Sequence, residues 1–268
     1  VVINKYPNES GSIFDKDGNI WYYPGATVGN IWGYTTVGIA KNDQQMADHL
    51  ATLPNGGQTA IGNGWAAGDV MYKDLNGDGK ISRGNQTLAD KGDLSVIGNS
   101  TPRYNFGLNL DAAWKGFDLR VFLQGTMKRD YMPSSESTMF WGAVGYWQTN
   151  YFKPHLDYFR GENTTNPLGA NLDGYYPRPL ESGRNRQSQT RYMQNAAYCR
   201  LKNVTLGYTL PTNLTRKLLL NNLRIFVSGE NLLTFTNLAD TFDPETIGVG
   251  NWDGCTYPLS KTVSFGLS

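Results

Sequence analysis

The chain has 268 residues, of which 39% are hydrophobic and 18% are charged, and its formal net charge is +1. A charge so close to neutral disfavours nucleic acid as a partner. The mean hydropathy of -0.46 and the lack of any run of about 18 apolar residues exclude helical membrane spans. Neither property excludes a transmembrane β-barrel, because lumen-facing polar residues there offset the lipid-facing apolar ones.

The N-terminal part of the chain predicts short strands and one surface helix. Ser12–Tyr23 is expected to form a hairpin with Asp17–Gly18 at its turn. Pro24–Ile39 is typical of a strand in which glycines mark a bend or a close backbone approach. Asn42–Leu53 has apolar residues at helical spacing, and Asp43 is the expected N-cap.

The segment Asp74–Ser82 has the spacing of a calcium-binding loop, with Gly79 at the sharp turn. The expected ligands are side-chain oxygens and one backbone carbonyl: Asp74, Asn76, Asp78, Lys80 and Asn85. A bidentate glutamate is expected where Asn85 stands, so the strongest ligand is missing. Ca²⁺, acting to stiffen the loop, is therefore one interpretation. The other is a turn in which these side chains bind their own backbone.

The clearest pattern in the chain is a hairpin of two alternating strands. Apolar and polar residues alternate through Arg103–Trp114 and again from Phe117 to Gln124, and Lys115–Gly116 supplies a tight turn. Strands of about ten residues are long for a soluble sheet and suit a tilted strand that crosses a bilayer. One face therefore needs hydrocarbon or a protein core, and the other needs water.

Residues 127–190 are rich in aromatic side chains and contain no strand pattern of comparable quality. Loops this long are usually functional, and aromatic faces beside polar groups suit sugar rings or peptides. The candidate ligand-binding residues are Trp141, Tyr146, Trp147, Tyr151, Tyr158, Arg160, Tyr175, Tyr176 and Arg178. The alternative is that these aromatic side chains pack the loop onto itself.

The C-terminal part predicts more amphipathic strands separated by connections of unequal length. Alternating strands are expected at Asn203–Leu210, Leu223–Leu232 and Thr262–Ser268, with a short helical turn at Pro211–Leu220 and a second irregular loop over 234–258. Short turns on one side of the sheet and long loops on the other are typical of outer-membrane barrels.

The sequence gives little support for catalysis. The two histidines, His49 and His155, lie far apart, and the common nucleophile, metal and phosphate-binding motifs are absent. We therefore expect no enzyme and no catalytic residues. Cys199 and Cys255 are compatible either with one disulfide or with two unpaired thiols.

Several segments, taken in order, resemble a known family. They are Tyr34–Ile39, Gly68–Ile81, Tyr104–Leu108 with Lys115–Leu119, Arg200–Pro211, Val227–Phe235 and Tyr257–Thr262. Together they are similar to the C-terminal part of the SusC/RagA family of TonB-dependent outer-membrane transporters. The resemblance begins at about Gly25 and continues through most of the remaining chain.

The resemblance implies an all-β fold, namely the C-terminal portion of an antiparallel transmembrane barrel of roughly 22 strands around a plug. Segments 127–190 and 234–258 would be long extracellular loops, joined to short periplasmic turns. The plug, the TonB box and the earlier strands have no counterpart in this sequence, so we expect the chain to be part of a larger protein.

The resemblance also implies partners and a location. The whole protein would import oligosaccharides or peptides across the outer membrane of a Gram-negative bacterium, with a SusD-like surface lipoprotein as a lid and energy from the TonB complex. The apolar faces would contact outer-membrane lipid. Two alternatives remain at this point: a soluble, calcium-dependent carbohydrate- or peptide-binding β domain, and a surface scaffold whose loops only contact other proteins.

Overall fold

The structure is a computed structural model that describes residues 1–6, 11–14, 21–144, 151–247 and 256–268. The chain divides into two compact units. The first unit comprises Val1–Thr101, Asp130–Gln194 and Ile247–Thr256, and the second comprises Pro102–Arg129, Asn195–Thr246 and Tyr257–Ser268.

The described residues form an all-β fold with few and short helices, as the sequence predicted. The strands are β1 (Asn30–Gly33), β2 (Thr36–Ile39), β3 (Val70–Tyr72), β4 (Ser95–Asn99), β5 (Arg103–Trp114), β6 (Phe117–Lys128), β7 (Asp130–Tyr131), β8 (Gln194–Asn195), β9 (Tyr198–Thr209), β10 (Arg224–Thr236) and β11 (Thr262–Leu267). The helices are α1 (Asp43–Ala51), α2 (Thr138–Trp141) and α3 (Thr212–Thr215), with 3₁₀ turns at Gly142–Val144, Lys153–Leu156, Gly183–Arg186, Thr190–Tyr192 and Arg216–Leu218. Within these ranges, none of the helices is long and apolar enough to cross a membrane.

The second unit is built on one antiparallel sheet with the strand order β11-β10-β9-β6-β5. Residues directly opposite each other in such a sheet share a face. Leu108 lies opposite Leu123 in the first pair of strands. Leu206 lies opposite Val227, which in turn lies opposite Phe265. The register therefore places the alternating apolar positions that the sequence predicted for the five strands on one face.

The predicted central hairpin is confirmed, including its turn. Lys115 and Gly116 both have positive φ, at 48° and 87°, which is the backbone of a type I′ turn and matches the twist of the flanking strands. The second strand runs further than predicted, because Lys128 still pairs with Arg103. The end of β10, at Thr236, is likewise still paired, so segments 127–190 and 234–258 both begin inside strands.

The first unit consists of short strands and long connections. Strand β1 pairs with β4 and β2 pairs with β3, both antiparallel. The predicted helix is present as α1, but its N-cap is Asn42, whose side chain accepts a hydrogen bond from the backbone N–H of Gln45 at 2.8 Å. Asp43 instead accepts from the backbone N–H of Ala67 at 2.8 Å. The expectation that Asp43 caps the helix was therefore wrong by one residue.

Two other sequence predictions fall partly outside the described residues. In the predicted N-terminal hairpin, Trp21 donates a backbone hydrogen bond to Ile13 at 2.7 Å, but the turn at Asp17–Gly18 lies outside the described residues. Cys199 is half-buried and has no disulfide partner among the described residues. Cys255 also lies outside the described residues, so its pairing stays a prediction.

Candidate functional site

The first unit contains a cavity of about 370 Å³, which is large enough for a small ligand or for one unit of a longer one. Its lining comes from residues 141–144, 151–158, 166–168, 176–180 and 185–186. All of these belong to the segment that the sequence marked as an aromatic loop. The long connection therefore folds around a cavity of its own.

The structure brings together five of the nine predicted ligand-binding residues. Trp141, Tyr151, Tyr158, Tyr176 and Arg178 line the cavity. Arg160 and Tyr175 lie in the same unit but are not part of the lining. Tyr146 and Trp147 lie outside the described residues, so no position can be assigned to them.

Some of these aromatic side chains pack on one another, as the alternative interpretation expected. The Trp141 ring meets Phe140 at 4.8 Å and Tyr192 at 4.9 Å, both edge to face. The Tyr175 and Tyr176 rings lie 4.9 Å apart. Burial raises the pKa of both Tyr176 and Tyr192, so their hydroxyls stay neutral. Sequence reasoning missed Tyr192, which is fully buried, because it lies beyond the end of the predicted loop.

Other aromatic residues of the cavity lining are not buried by this packing and keep accessible ring surface. Tyr151 is 75% exposed. Tyr158 is half-buried, and its hydroxyl accepts a hydrogen bond from the side-chain amide of Asn166 at 2.7 Å. An aromatic face with an amide beside it is suited to a sugar ring or to a peptide group.

The predicted arginines are used within the unit. Arg160 donates to the carbonyls of Gly169 at 2.6 Å and Leu156 at 2.8 Å. Arg178 donates through Nε and Nη2 to the two carboxylate oxygens of Asp69, at 2.7 and 2.6 Å. Both side chains therefore hold the loops that frame the cavity. Asp69 is fully buried, and the sequence analysis missed it. The apolar residues that follow it directly in the chain were the signal that this aspartate lies in a buried segment.

His155 lines the cavity as a neutral imidazole. Its Nδ1 accepts a hydrogen bond from the backbone N–H of Phe152 at 3.2 Å, and its Nε2 lies 3.2 Å from the carbonyl oxygen of Met139. This network assigns the proton to Nε2. Burial lowers the pKa of the His155 side chain. The imidazole therefore supplies shape and a hydrogen bond rather than charge.

The predicted calcium loop binds its own backbone in this structure. The carboxylate of Asp74 accepts from the backbone N–H groups of Gly77 at 2.6 Å and Gly79 at 2.8 Å. Asp78 accepts from the backbone N–H of Lys80 at 3.1 Å. Burial alone would raise the pKa of Asp74, but the Gly79 and Gly77 donors act in the other direction and the pKa is lowered. These are the contacts of the turn interpretation.

The remaining calcium positions add no further cluster. Asn76 accepts from the backbone N–H of Asp78 at 3.0 Å, and Asn85 is exposed. Across the described parts of the chain, no three His, Cys, Asp or Glu side chains are grouped so that they could hold a metal ion. The sequence analysis missed Asp93, which accepts from the backbone N–H groups of Leu75 at 2.8 Å and Ser82 at 2.7 Å and closes the loop. Calcium at this loop stays a prediction.

These features define an all-β chain with a sheet that is amphipathic across its full width and a loop-rich unit with an aromatic cavity. Comparison with known proteins shows which class of protein the chain is similar to. TonB-dependent receptor P3 of Formosa agariphila is 29% identical over 257 residues, which cover 91% of this chain and 22% of that protein. TonB-dependent receptor P39 of the same organism is 25% identical, covering 97% of this chain and 27% of that protein. No protein-family model matches the chain.

Solved structures agree with the sequence relatives at the level of fold. The structure of the RagAB peptide transporter aligns with a TM-score of 0.60 and 22% identity, over 96% of this chain and 24% of that one. The resemblance to TonB-dependent receptors that the motifs indicated is thereby confirmed. The chain spans about a quarter of the length of these proteins. They are receptors and transporters, which fits a protein that is not an enzyme.

Proposed function

We propose that this chain is a C-terminal barrel segment of a TonB-dependent outer-membrane transporter that imports oligosaccharides or peptides. The observation that carries the proposal is the exposed apolar face of the five-stranded sheet. Leu110 is 51% exposed, Phe265 is 84% exposed and Leu267 is 71% exposed. A continuous apolar surface of this kind marks an interaction with a membrane or another protein.

The dimensions of the sheet support lipid as the covering medium. Strands β5, β6 and β9 each have 12 residues and β10 has 13, so each is about 40 Å long. A strand of that length, tilted by about 45°, spans the hydrocarbon core of a bilayer. The opposite face carries Asp111, Arg120, Thr205 and Arg224, which are the side chains expected at a wet lumen.

The same exposure argues against the soluble alternative. A soluble carbohydrate- or peptide-binding sandwich needs its apolar strand faces buried in a core. Here Leu206 on the central strand is 46% exposed and Leu233 is 52% exposed. Burial in hydrocarbon accounts for these apolar side chains, whereas a soluble domain with this sheet would leave them in water.

The proposal includes partners for the remaining surfaces. The aromatic cavity in segment 127–190 would contact cargo, and a SusD-like lipoprotein would cover this segment and 234–258 on the extracellular side. Energy would come from the TonB complex through parts of the transporter outside this chain. These assignments rest on the sequence similarity to TonB-dependent receptors and on the position of the cavity in the first, loop-rich unit (the loop unit).

A pair of adjacent arginine substitutions in the full-length polypeptide tests the membrane proposal. Leu108 and Asn109 are both exposed neighbours in β5 but lie on opposite faces. Leu108→Arg places a charge in lipid, at a cost of about 2–4 kcal/mol near the bilayer midplane, so folded protein in the outer-membrane fraction should fall. Asn109→Arg should leave it unchanged. Equal behaviour of the two variants, with wild-type protein that dissolves without detergent, contradicts the proposal.

A further inference from the structure

Arg186 is a buried cation in the lining of the aromatic cavity. The residue is 8% exposed. Its Nη1 donates to the carbonyl oxygen of Ser135 at 2.6 Å, and its Nη2 donates to that of Glu181 at 2.8 Å. Its Nε is buried and has no hydrogen-bond partner among the residues that the structure describes. The guanidinium is therefore held in place by neutral acceptors, with donor capacity left over.

The surroundings of the Arg186 charge differ from those of two other arginines of this unit, Arg178 and Arg184. Arg178 and Arg184 both pair with the carboxylate of Asp69. Arg186 forms no ion pair with any residue that the structure describes. Burial lowers the pKa of Arg186, while the more distant charges of Glu136 and Glu181 act to raise it. A buried charge with only neutral partners is costly, and a contacting carboxylate relieves that cost.

The rest of the cavity lining leaves the charge of Arg186 uncompensated. Among the described lining residues there is no aspartate or glutamate. His155 is neutral, and Arg178 pairs with the carboxylate of Asp69, which Arg184 also contacts. The other lining surface is mainly apolar or aromatic and includes Trp141 and Leu168. A ligand that matches this cavity combines a flat or apolar body with one negative charge.

We propose that the aromatic cavity binds a carboxylate group of the ligand at Arg186, with the body of the ligand against the aromatic side chains. The Nε–H and an unused Nη hydrogen can form a bidentate, charge-assisted pair with one carboxylate. The inference rests on the proposed transport function in taking this ligand to be cargo. The carboxylate is either the free C-terminus of a peptide or the acid group of a uronic-acid sugar.

The test uses matched probe pairs on the full-length protein in detergent, with calorimetry as the measurement. The first pair is N-acetyl-phenylalanyl-phenylalanine with a free or an amidated C-terminus, and the second is a disaccharide with or without a uronic acid. The wild-type protein should bind the charged member of one pair about tenfold more tightly than its neutral partner. The pair that shows the preference identifies the source of the carboxylate.

Variants then assign the preference to Arg186. Arg186→Gln should bring the two affinities of the preferred pair together. Arg191→Gln is the matched control, because Arg191 also donates to backbone carbonyls, those of Gly174 and Tyr175, yet does not line the cavity. It should retain the preference.

The outcomes separate this inference from the transport proposal. Equal wild-type binding within both pairs overturns the carboxylate site even if Arg186→Gln does not fold, and so does a preference that persists in Arg186→Gln. Failure of the membrane test at Leu108 together with a carboxylate preference would instead remove the transport proposal and leave the site in place.

Discussion

Arg224 on β10 and Asp118 on β6 form a bidentate ion pair that reaches across the intervening strand β9. The Nε–Oδ1 distance is 2.8 Å and the Nη2–Oδ2 distance is 2.5 Å. Gly207 of β9 lies directly opposite Asp118, and a Cβ at this position would collide with both charged groups. The absence of a side chain at Gly207 therefore lets one ion pair tie three strands together on the polar face.

The first prediction concerns the contact between Gly207 and this ion pair. Gly207→Ala should lower the temperature at which the full-length protein unfolds, because the added methyl group displaces the ion pair. In the background of Asp118→Ala with Arg224→Ala, the same glycine substitution should cost less, since the groups that it meets are gone. The measurement is the loss of the compact, heat-modifiable band on gels. An equal cost in both backgrounds would show that the ion pair and Gly207 are independent.

The second prediction concerns the buried carboxylate in the loop unit. Asp69 is fully buried and accepts from Arg178 as well as from the side-chain amide of Asn185 at 2.8 Å. Asp69→Ala should lower the free energy of unfolding of this unit by about 3–5 kcal/mol, because it leaves buried cations without a partner. Asp173→Ala is the control: its pair with Lys41 is exposed and should contribute little. Urea unfolding followed by limited proteolysis of the loop unit measures both.

The third prediction concerns pH. Burial lowers the pKa of His155 and of His49 below the ordinary value of 6.5, so protonation favours the unfolded state. Their contribution to stability is present above pH 6.5 and is lost as the pH falls through the lower folded pKa values. The unfolding temperature of the loop unit should therefore fall between about pH 8 and about pH 5.5. His155→Gln should make that fall smaller, and an unchanged fall would exclude His155 as its source.

The fourth prediction separates self-packing from ligand binding among the loop aromatics. Trp141 is 5% exposed and Tyr151 is 75% exposed, although both line the cavity. Trp141→Ala should destabilise the loop unit by about 3–5 kcal/mol, because it leaves a large void among packed rings. Tyr151→Ala should leave the unfolding temperature unchanged and reduce cargo uptake by cells. Normal uptake in the Tyr151 variant would mean that this ring does not contact cargo.

The fifth prediction concerns calcium at the loop Asp74–Ser82. If an ion binds, Ca²⁺ should raise the unfolding temperature of the full-length protein, a chelator should reverse the effect, and Asp78→Asn should weaken it. If the loop is only a turn, Ca²⁺ should change nothing. Asp74→Ala should still destabilise the loop in that case, since Gly77 and Gly79 lose their acceptor. A calcium titration monitored by thermal unfolding decides between the two.

The amphipathic sheet was predictable because its signal is local. Apolar and polar residues alternate along Arg103–Trp114, and a strand of any fold must place them on opposite faces. The turn at Lys115–Gly116 needs only two residues with positive φ. The SusC/RagA resemblance rested on short motifs of the same local kind. The residue that caps α1 was not predictable, because Asn42 and Asp43 are both good N-caps. In the structure Asn42 caps the helix, and Asp43 accepts from the distant backbone N–H of Ala67 instead.

The candidate site depended on contacts that no local pattern encodes. Arg178 meets Asp69 across 109 positions of sequence, so its use as a structural anchor was invisible in the chain. Arg186 carries the same side chain, yet the fold places it in the cavity lining, where none of the described lining residues carries a carboxylate. The sequence by itself determined the alternation of the strands and the aromatic content of the loop. Only the tertiary structure decided which aromatic rings are packed and which buried arginine has no ion pair among the described residues, because burial and pairing arise from residues far apart in sequence.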